Sequence, residues 1–562
     1  MTGSTVRRLR TSLPCCVLLL LSLPGCEDSP APGTPTPTEP TTPTEPTEPS
    51  TPLPWDGTYT EMADPGDIVD EGPFDTCRFL AAENPDPAVC EDPSQFDLSG
   101  CDAAGLAATE MTGIYGNNLR IEQRLREGQP PSNTLAWSAA DFQLFADGTT
   151  GTMFRTPLAT RDTSGGRFFV LNKRALRNTP YTTTTALMGC HARTPGLITG
   201  CFVSCSTNPR TGRTVGTFAA HRMSWHGHEG ESSGGLTLVS EAPTPVGMPV
   251  DVYVTKGHAY VVSLSEGVRL GGLSVFDVSD RSHPRLKTTL SPSGDNSWNG
   301  VWAKGDALYI AANGSGLIVF DITQPAAPVF VRHFPAAPYG VHTVLVDGDR
   351  LYAVAPDGRT LVYDVTNPLD PVLRTVITLA EEFASGGPHD VFAYQGRLYI
   401  SNGFGGYSVM DVSDLDDVKH VGQYPHPDQG FAHHSAVGTF AGRTLAFEGG
   451  EFGGSHLRVL DVSAPERIVK LGEFRLRPTA SIHNLLLRGD RLYIAWYQEG
   501  LRVLDVSNPT KPRQVAHFNT FRDSDPYRTD NLFEGAIGVR LGEDDTVYVV
   551  DTSRGLLILD AP

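Results

Sequence analysis

The sequence predicts an all-β protein: a seven-bladed β-propeller preceded by a small disulfide-stapled antiparallel β domain. Three observations carry this prediction. A segment ending in aspartate recurs seven times between residues 235 and 562, the strand leading into each aspartate is apolar on both faces, and the cysteines that remain after an export signal all precede the repeats.

The recurring segments are GGLSVFDVSD around Asp277, SGLIVFDITQ around Asp321, RTLVYDVTN around Asp364, GGYSVMDVSD around Asp411, SHLRVLDVSA around Asp461, EGLRVLDVSN around Asp505 and RGLLILD around Asp560. Their spacings are 44, 43, 47, 50, 44 and 55 residues, a period that marks a repeat array. In the second unit, short runs such as Ala307–Ile310 and Leu317–Phe320 alternate with turns at Gly305 and Asn313-Gly314. This reads as a four-stranded meander. Two residues before the aspartates stand valines or isoleucine (Val275, Val319, Val362, Val409, Val459, Val503, Ile558), and one residue before stand Phe276, Phe320, Tyr363, Met410, Leu460, Leu504 and Leu559. Successive side chains on a strand point to opposite faces, so this strand is covered on both sides, as in a blade lying between two blades. Six units are complete; the seventh stops at Pro562 without a fourth strand. The unpaired stretch Leu236–Glu241 is expected to supply it and close the ring.

With DVSDxxxP, DVTNPxxP and DVSNPxxP, the units over 235–562 resemble the LVIVD repeat of bacterial and archaeal surface proteins; the copies at Leu457–Pro465 and Tyr407–Asp411 lack the final proline. The resemblance implies a propeller outside the cytoplasm and a binding role, with no settled activity. The aspartates themselves suit a turn in which the carboxylate accepts backbone N–H groups, a structural use.

Candidate function lies at the channel. First strands of propeller blades line it. Ten residues before Tyr352, Tyr399 and Tyr493 stand His342, His389 and His483, while FAHHSAV puts His433 and His434 at a comparable place. The same register gives Asn299, and Glu534 is taken as its counterpart in the last unit. Converging imidazoles bind transition metals such as copper or zinc, act as general bases, or hold an anion when protonated; His342, His389, His434 and His483 form the candidate metal set. A wet channel with water-satisfied histidines inherited by duplication is the plainer reading. A second cluster, His221, His226, His228 and Glu229, precedes the propeller in a glycine-rich stretch, and the acidic run Asp411–Asp417 reads as a solvated edge rather than a calcium loop. No P-loop, dinucleotide fingerprint or Gly-x-Ser-x-Gly elbow occurs, and no catalytic residue is assigned.

The N-terminal part gives an address. Arg7, Arg8 and Arg10 precede the apolar run Leu13–Leu23, which is too short to span a bilayer and reads as an export signal over residues 1–25. It ends Leu23-Pro24-Gly25-Cys26, which resembles the bacterial lipobox and implies lipid attachment at Cys26. Residues 26–54, rich in Pro, Thr and Glu, form an extended tether. Six cysteines remain: Cys77, Cys90, Cys101, Cys190, Cys201 and Cys205. An even count in an exported chain suggests three disulfides with the pairing open. Residues 55–110 are expected to be a loop-rich cap. Residues 111–230 are expected to form a small antiparallel barrel or sandwich, with strands near Phe142–Phe145, Gly151–Phe154, Phe168–Leu171, Leu197–Val203 and Val215–Ala220.

A net charge of −20 argues against nucleic-acid and anionic-membrane partners. The expected protein is thus a lipid-anchored envelope protein, at the outer membrane or cell surface, that touches the membrane through its lipid only. Its propeller is expected to bind a protein or small-molecule ligand, with a metal-dependent enzyme as the alternative.

Overall fold

The computed structural model describes residues 54–562 apart from 84–85, 127, 134, 224–228, 337, 384–385 and 428–429. The export signal, Cys26, nearly all of the tether, His226 and His228 lie outside the described residues.

Seven antiparallel sheets follow one another around the ring. Blade one comprises Met248–Thr255, His258–Leu264, Gly272–Asp277 and Arg285–Leu290; blade two comprises Trp298–Lys304, Ala307–Ala312, Gly316–Asp321 and Val329–Phe334. Blades three to six repeat the meander with inner strands at Thr343–Asp347, Asp390–Tyr394, Phe431–Phe440 and Leu485–Arg488. Blade seven holds Ala536–Leu541, Val547–Asp551 and Gly555–Asp560, and its fourth strand is Thr237–Ala242, paired antiparallel so that Thr237 faces Asp560 and Ala242 faces Leu556. The expected closure is therefore present. Blade six gains a short fifth strand from Ser232–Ser233 against Phe518 and His517.

The double coverage inferred from the repeat is visible residue by residue. In blade two, Leu317 and Val319 pack with Val344 and Leu351 of blade three. Their neighbours Ile318 and Phe320 pack with Val275 and Phe276 of blade one. Each buried apolar side chain of this size stabilises by about 1.5–3 kcal/mol, so the blade-to-blade contact is the main cohesive term. Polar latches add to it. Tyr260 donates its hydroxyl to the Pro325 carbonyl at 2.9 Å and Tyr309 to the Pro368 carbonyl at 2.7 Å, each in the next blade. The recurring aspartates behave as turn residues. Asp277, Asp321, Asp364, Asp411, Asp461 and Asp505 each accept from the backbone N–H two residues on, at 2.7–3.2 Å.

Ahead of the propeller, eight strands form a closed antiparallel barrel: Gly113–Leu125, Phe142–Leu144, Gly151–Met153, Thr156–Asp162, Phe169–Ala175, Thr182–Thr194, Leu197–Ser206 and Arg213–Arg222. The last pairs with the first, Arg222 opposite Tyr115 and Arg213 opposite Leu125, which removes both free edges. Ala136–Ala139 is an added strand on the first. Tyr115, Phe142, Phe202 and Phe218 are fully buried in one cluster. The cap lies against a different apolar surface, where Phe79 and Phe96 meet Phe169, Leu171 and Val203. Three disulfides fix it there: Cys77–Cys201, Cys90–Cys205 and Cys101–Cys190, each joining the cap to a barrel strand.

Contacts that seat this N-terminal part on the ring include an apolar insertion, a hydrogen bond from Arg155 N–H to Asp530 at 2.9 Å and a strap. Ile114 and Met223 of the barrel enter the core of blades five and six beside Ile482, Trp496 and Phe521. A strap just before the cap runs along blade five: Tyr59 donates to Asp461 at 2.8 Å, Met62 N–H to the Lys470 carbonyl at 2.8 Å, and Asp64 and Asp67 take the guanidinium of Arg458.

Candidate functional site at the channel mouth

One register position defines the mouth. It is the residue preceding the one opposite the second residue after the tyrosine of the neighbouring strand. In blades three, four and six this is His342, His389 and His483, whose N–H groups donate to the carbonyls of Val354, Ser401 and Ala495. In blades one, two, five and seven it is the residue left unpaired at a β-bulge: Val250, Asn299, His433 and Ile537. A bulge re-aims a side chain, and here it keeps Asn299 and His433 in line with the other three.

Five consecutive blades therefore present Asn299, His342, His389, His433 and His483. Adjacent ring centroids are 4.3 Å apart for His342 and His389, 4.2 Å for His389 and His433, and 4.4 Å for His433 and His483. The row is tied across blade boundaries. Asn299 donates to the His342 carbonyl at 3.0 Å, His433 Nδ1 to the His483 carbonyl at 3.1 Å, and His483 Nδ1 to the Ile537 carbonyl at 2.7 Å. A carbonyl only accepts, so Nδ1 of His433 and His483 carries the proton and Nε2 is left as a lone pair. His342 and His389 meet through their Nε2 atoms at 3.1 Å. Among the described residues, buried Nδ1 of His389 and Nε2 of His433 have no hydrogen-bond partner.

Burial pushes the His342 ring down to about 4 and the His483 ring to about 3. His389 and His433 lie well below the usual imidazole range, from burial first and neighbouring imidazoles second. The row is uncharged at neutral pH, so it offers lone pairs and does not attract anions as imidazolium. Glu451, at the end of the second strand of blade five, completes the group: one ligand atom each from His389, His433 and Glu451 lies within 4.8 Å of the other two. Burial raises the Glu451 carboxyl to about 7, against a 2.9 Å hydrogen bond donated by the Tyr497 hydroxyl.

Aromatic rings cover this row. Phe431 lies 5.4 Å from His389 and Tyr497 5.1 Å from His483, and Phe404, Phe452 and Phe533 continue the cluster at 5.0–5.7 Å centroid separations. Phe404 is 47% exposed, so the cluster has an open side. Phe452 and Tyr497 adopt positive φ, 80° and 34°, a conformation that side-chain-bearing residues avoid and that concentrates at functional sites.

The other sequence candidates stand elsewhere. His434 points away from the row; its Nδ1 accepts from Leu485 N–H at 3.3 Å and its Nε2 lies 3.7 Å from Asp390. Glu534 is outside the ring register, held by Thr529 and 3.8 Å from Arg528; Ile537 takes the blade-seven place. Glu229 is bound by Arg502 at 2.6 Å, and His221 lies on the last barrel strand. Within the acidic run, Asp414 accepts from Asp416 N–H and Asp417 pairs with Lys419 at 2.8 Å, the behaviour of a solvated turn.

The LVIVD repeat model matches residues 246–291, 297–334 and 481–520, which fall on blades one, two and six. The chain carries LVIVD repeats arranged as a seven-bladed β-propeller. No curated protein sequence matches it. Among solved structures it is similar to the WD40 β-propeller domain of Doa1, with 11% identity over 58% of this chain and 98% of that one and a TM-score of 0.44.

Proposed function

We propose that this chain is an exported, lipid-anchored protein of the bacterial cell envelope whose propeller is a binding platform, with its ligand site at the channel mouth. The observation that carries the site is the row of four adjoining imidazoles, with Nδ1 of His389 and Nε2 of His433 unpartnered among the described residues, under a partly open aromatic cover. Few convergent polar groups among aromatic side chains are the usual make-up of a small-molecule site. The ligand class is a small molecule with hydrogen-bond donors and an apolar or aromatic body. Export is supported by three disulfides, which persist in oxidising compartments, and by the Leu23–Cys26 motif.

Two measurements test this. Detergent-phase partitioning of the wild type and its loss in Cys26→Ser are expected; an unaltered aqueous distribution of both counts against the anchor. Native mass spectrometry of protein extracted from the envelope is expected to show a bound small molecule that His342→Ala and Phe452→Ala both release. A wild type with no adduct, or variants carrying the same adduct, overturns the site.

A further inference from the structure

We propose that the channel mouth is a transition-metal site: a divalent ion of the zinc class binds to His389, His433 and Glu451, with the remaining coordination positions open to a ligand. This inference rests on the channel-mouth binding reading and deepens it.

The donor set is argued from what each atom is already doing. His433 spends Nδ1–H on the His483 carbonyl, so its Nε2 is a lone pair, and that atom is buried with no partner. His389 faces His342 through Nε2 at 3.1 Å. When it is the donor there, its Nδ1 is bare, and that atom too is buried without a partner. A buried acceptor without a donor costs about 1–3 kcal/mol, and one cation within reach of both lone pairs relieves that cost for the two together. The third donor is the Glu451 carboxylate, 3.8 Å from His433 Nε2 and oriented by the Tyr497 hydroxyl. Ligands this close need only small closing motions to meet one ion at about 2.0–2.2 Å. Two imidazoles with one carboxylate is a set that binds divalent transition metals and leaves positions free. The donors are themselves held in place: the His483 carbonyl fixes the His433 tautomer and the Tyr497 hydroxyl fixes Glu451, as hydrogen-bonded partners orient the ligands of metal sites.

The test uses the full chain without an affinity tag, stripped with chelator. Zinc is titrated calorimetrically and cobalt by its visible absorption, which reports coordination number and geometry. One equivalent of zinc is expected, with a cobalt spectrum of low-coordinate type. His389→Gln and Glu451→Gln, which keep size and hydrogen bonding, are each expected to weaken binding at least ~tenfold, and the exposed His283→Gln to leave it unchanged. Far-UV circular dichroism confirms that each variant is folded. Absence of stoichiometric zinc from the wild type, or undiminished binding by the folded His389→Gln variant, overturns the inference. If zinc is absent while the small-molecule adduct persists and is lost in His342→Ala, the metal site fails and the binding reading stands.

Discussion

Replacing Arg458 by methionine is expected to release the strap from blade five. The Arg458 side chain is fully buried, with Nε 2.7 Å from Asp64 and Nη2 2.7 Å from Asp67. Methionine fills much of the same volume, so the change removes charge and hydrogen bonds with little cavity. Removing one partner of a buried ion pair costs about 3–5 kcal/mol, because the other is left uncompensated. Three carboxylates lose a partner here, Glu448 at 3.7 Å being the third, but Lys470 stays 3.4 Å from Asp64, His456 3.2 Å from Asp67 and His426 3.2 Å from Glu448. The lower end applies: about 3 kcal/mol, more than a hundredfold in the docking equilibrium. Cys77–Cys201 keeps the strap attached, so the variant opens a tethered flap and the ring stays intact. Hydrogen exchange at Met62, whose N–H reaches the Lys470 carbonyl at 2.8 Å, reads that opening directly. The second change Asp64→Asn is expected to recover part of the loss, since one stranded carboxylate disappears. Acid offers an independent check. Burial raises the Asp67 carboxyl, but the His456 hydrogen bond and the Arg458 guanidinium outweigh it and bring it down to about 2. A depressed carboxyl stabilises above its unfolded value near ~3.9 and loses that contribution as pH falls through the folded value. The wild-type strap is therefore expected to loosen between about pH 4 and 2. Met62 protection that changes less than about threefold in Arg458→Met refutes this account of the strap.

Three further outcomes are expected. Asp141 is buried beside Asp530, and burial raises its carboxyl to about 8. Its stabilising protonated form is complete below ~pH 4 and is lost as pH rises through 8, so Asp141→Asn should raise the melting temperature more at pH 8 than at pH 5, by the equivalent of at least ~1 kcal/mol; scanning fluorimetry at both pH values decides it, and equal shifts contradict it. Replacing Cys101 and Cys190 by serine leaves two bridges that shorten the loop this pair closes to about 26 residues, counting 11 from Cys90 to Cys101 and 15 from Cys190 to Cys205. Chain entropy then puts the loss at about 3.5 kcal/mol, measurable as earlier urea unfolding of the cap and barrel while the propeller transition stays in place. Tyr497→Phe keeps the ring over His483 but removes the hydroxyl from Glu451; zinc affinity should fall about 10–100-fold with circular dichroism unchanged, and an unchanged affinity shows that Tyr497 does not position Glu451.

The propeller was readable because radial repetition writes the same physical demand seven times. A strand buried on both faces needs paired apolar residues such as Val319 and Phe320, and a turn after it needs Asp321. Closure was readable from a missing fourth strand at one end and a spare one at the other. The barrel was harder. Its strands are unequal, and Thr182–Thr194 opens with a run of threonines that resembles loop as much as strand. At the mouth, three histidines followed from one fixed offset to a tyrosine. Blade five breaks that offset because Phe447 replaces the tyrosine and its hairpin is longer, so the bulge that selects His433 over His434 had no sequence marker. In blade seven a similar bulge seats Ile537 and leaves Glu534 outside. Glu451 was missed because it stands on a second strand, where the offset rule does not look; the unusual length of Arg443–Glu451 is the one signal that marked it.

The pairing of Thr237 with Asp560 has a consequence for biogenesis. The two residues are 323 positions apart, so the first strand of the pair must wait, unzipped, until almost the whole remaining polypeptide has been delivered. Contacts so distant in sequence are slow to form, and until then both ends of the growing crescent expose bare backbone to any neighbouring chain. The final join of the ring is therefore also its latest. A premature stop before Gly555 would yield an arc that cannot seal itself and is destined for aggregation or degradation.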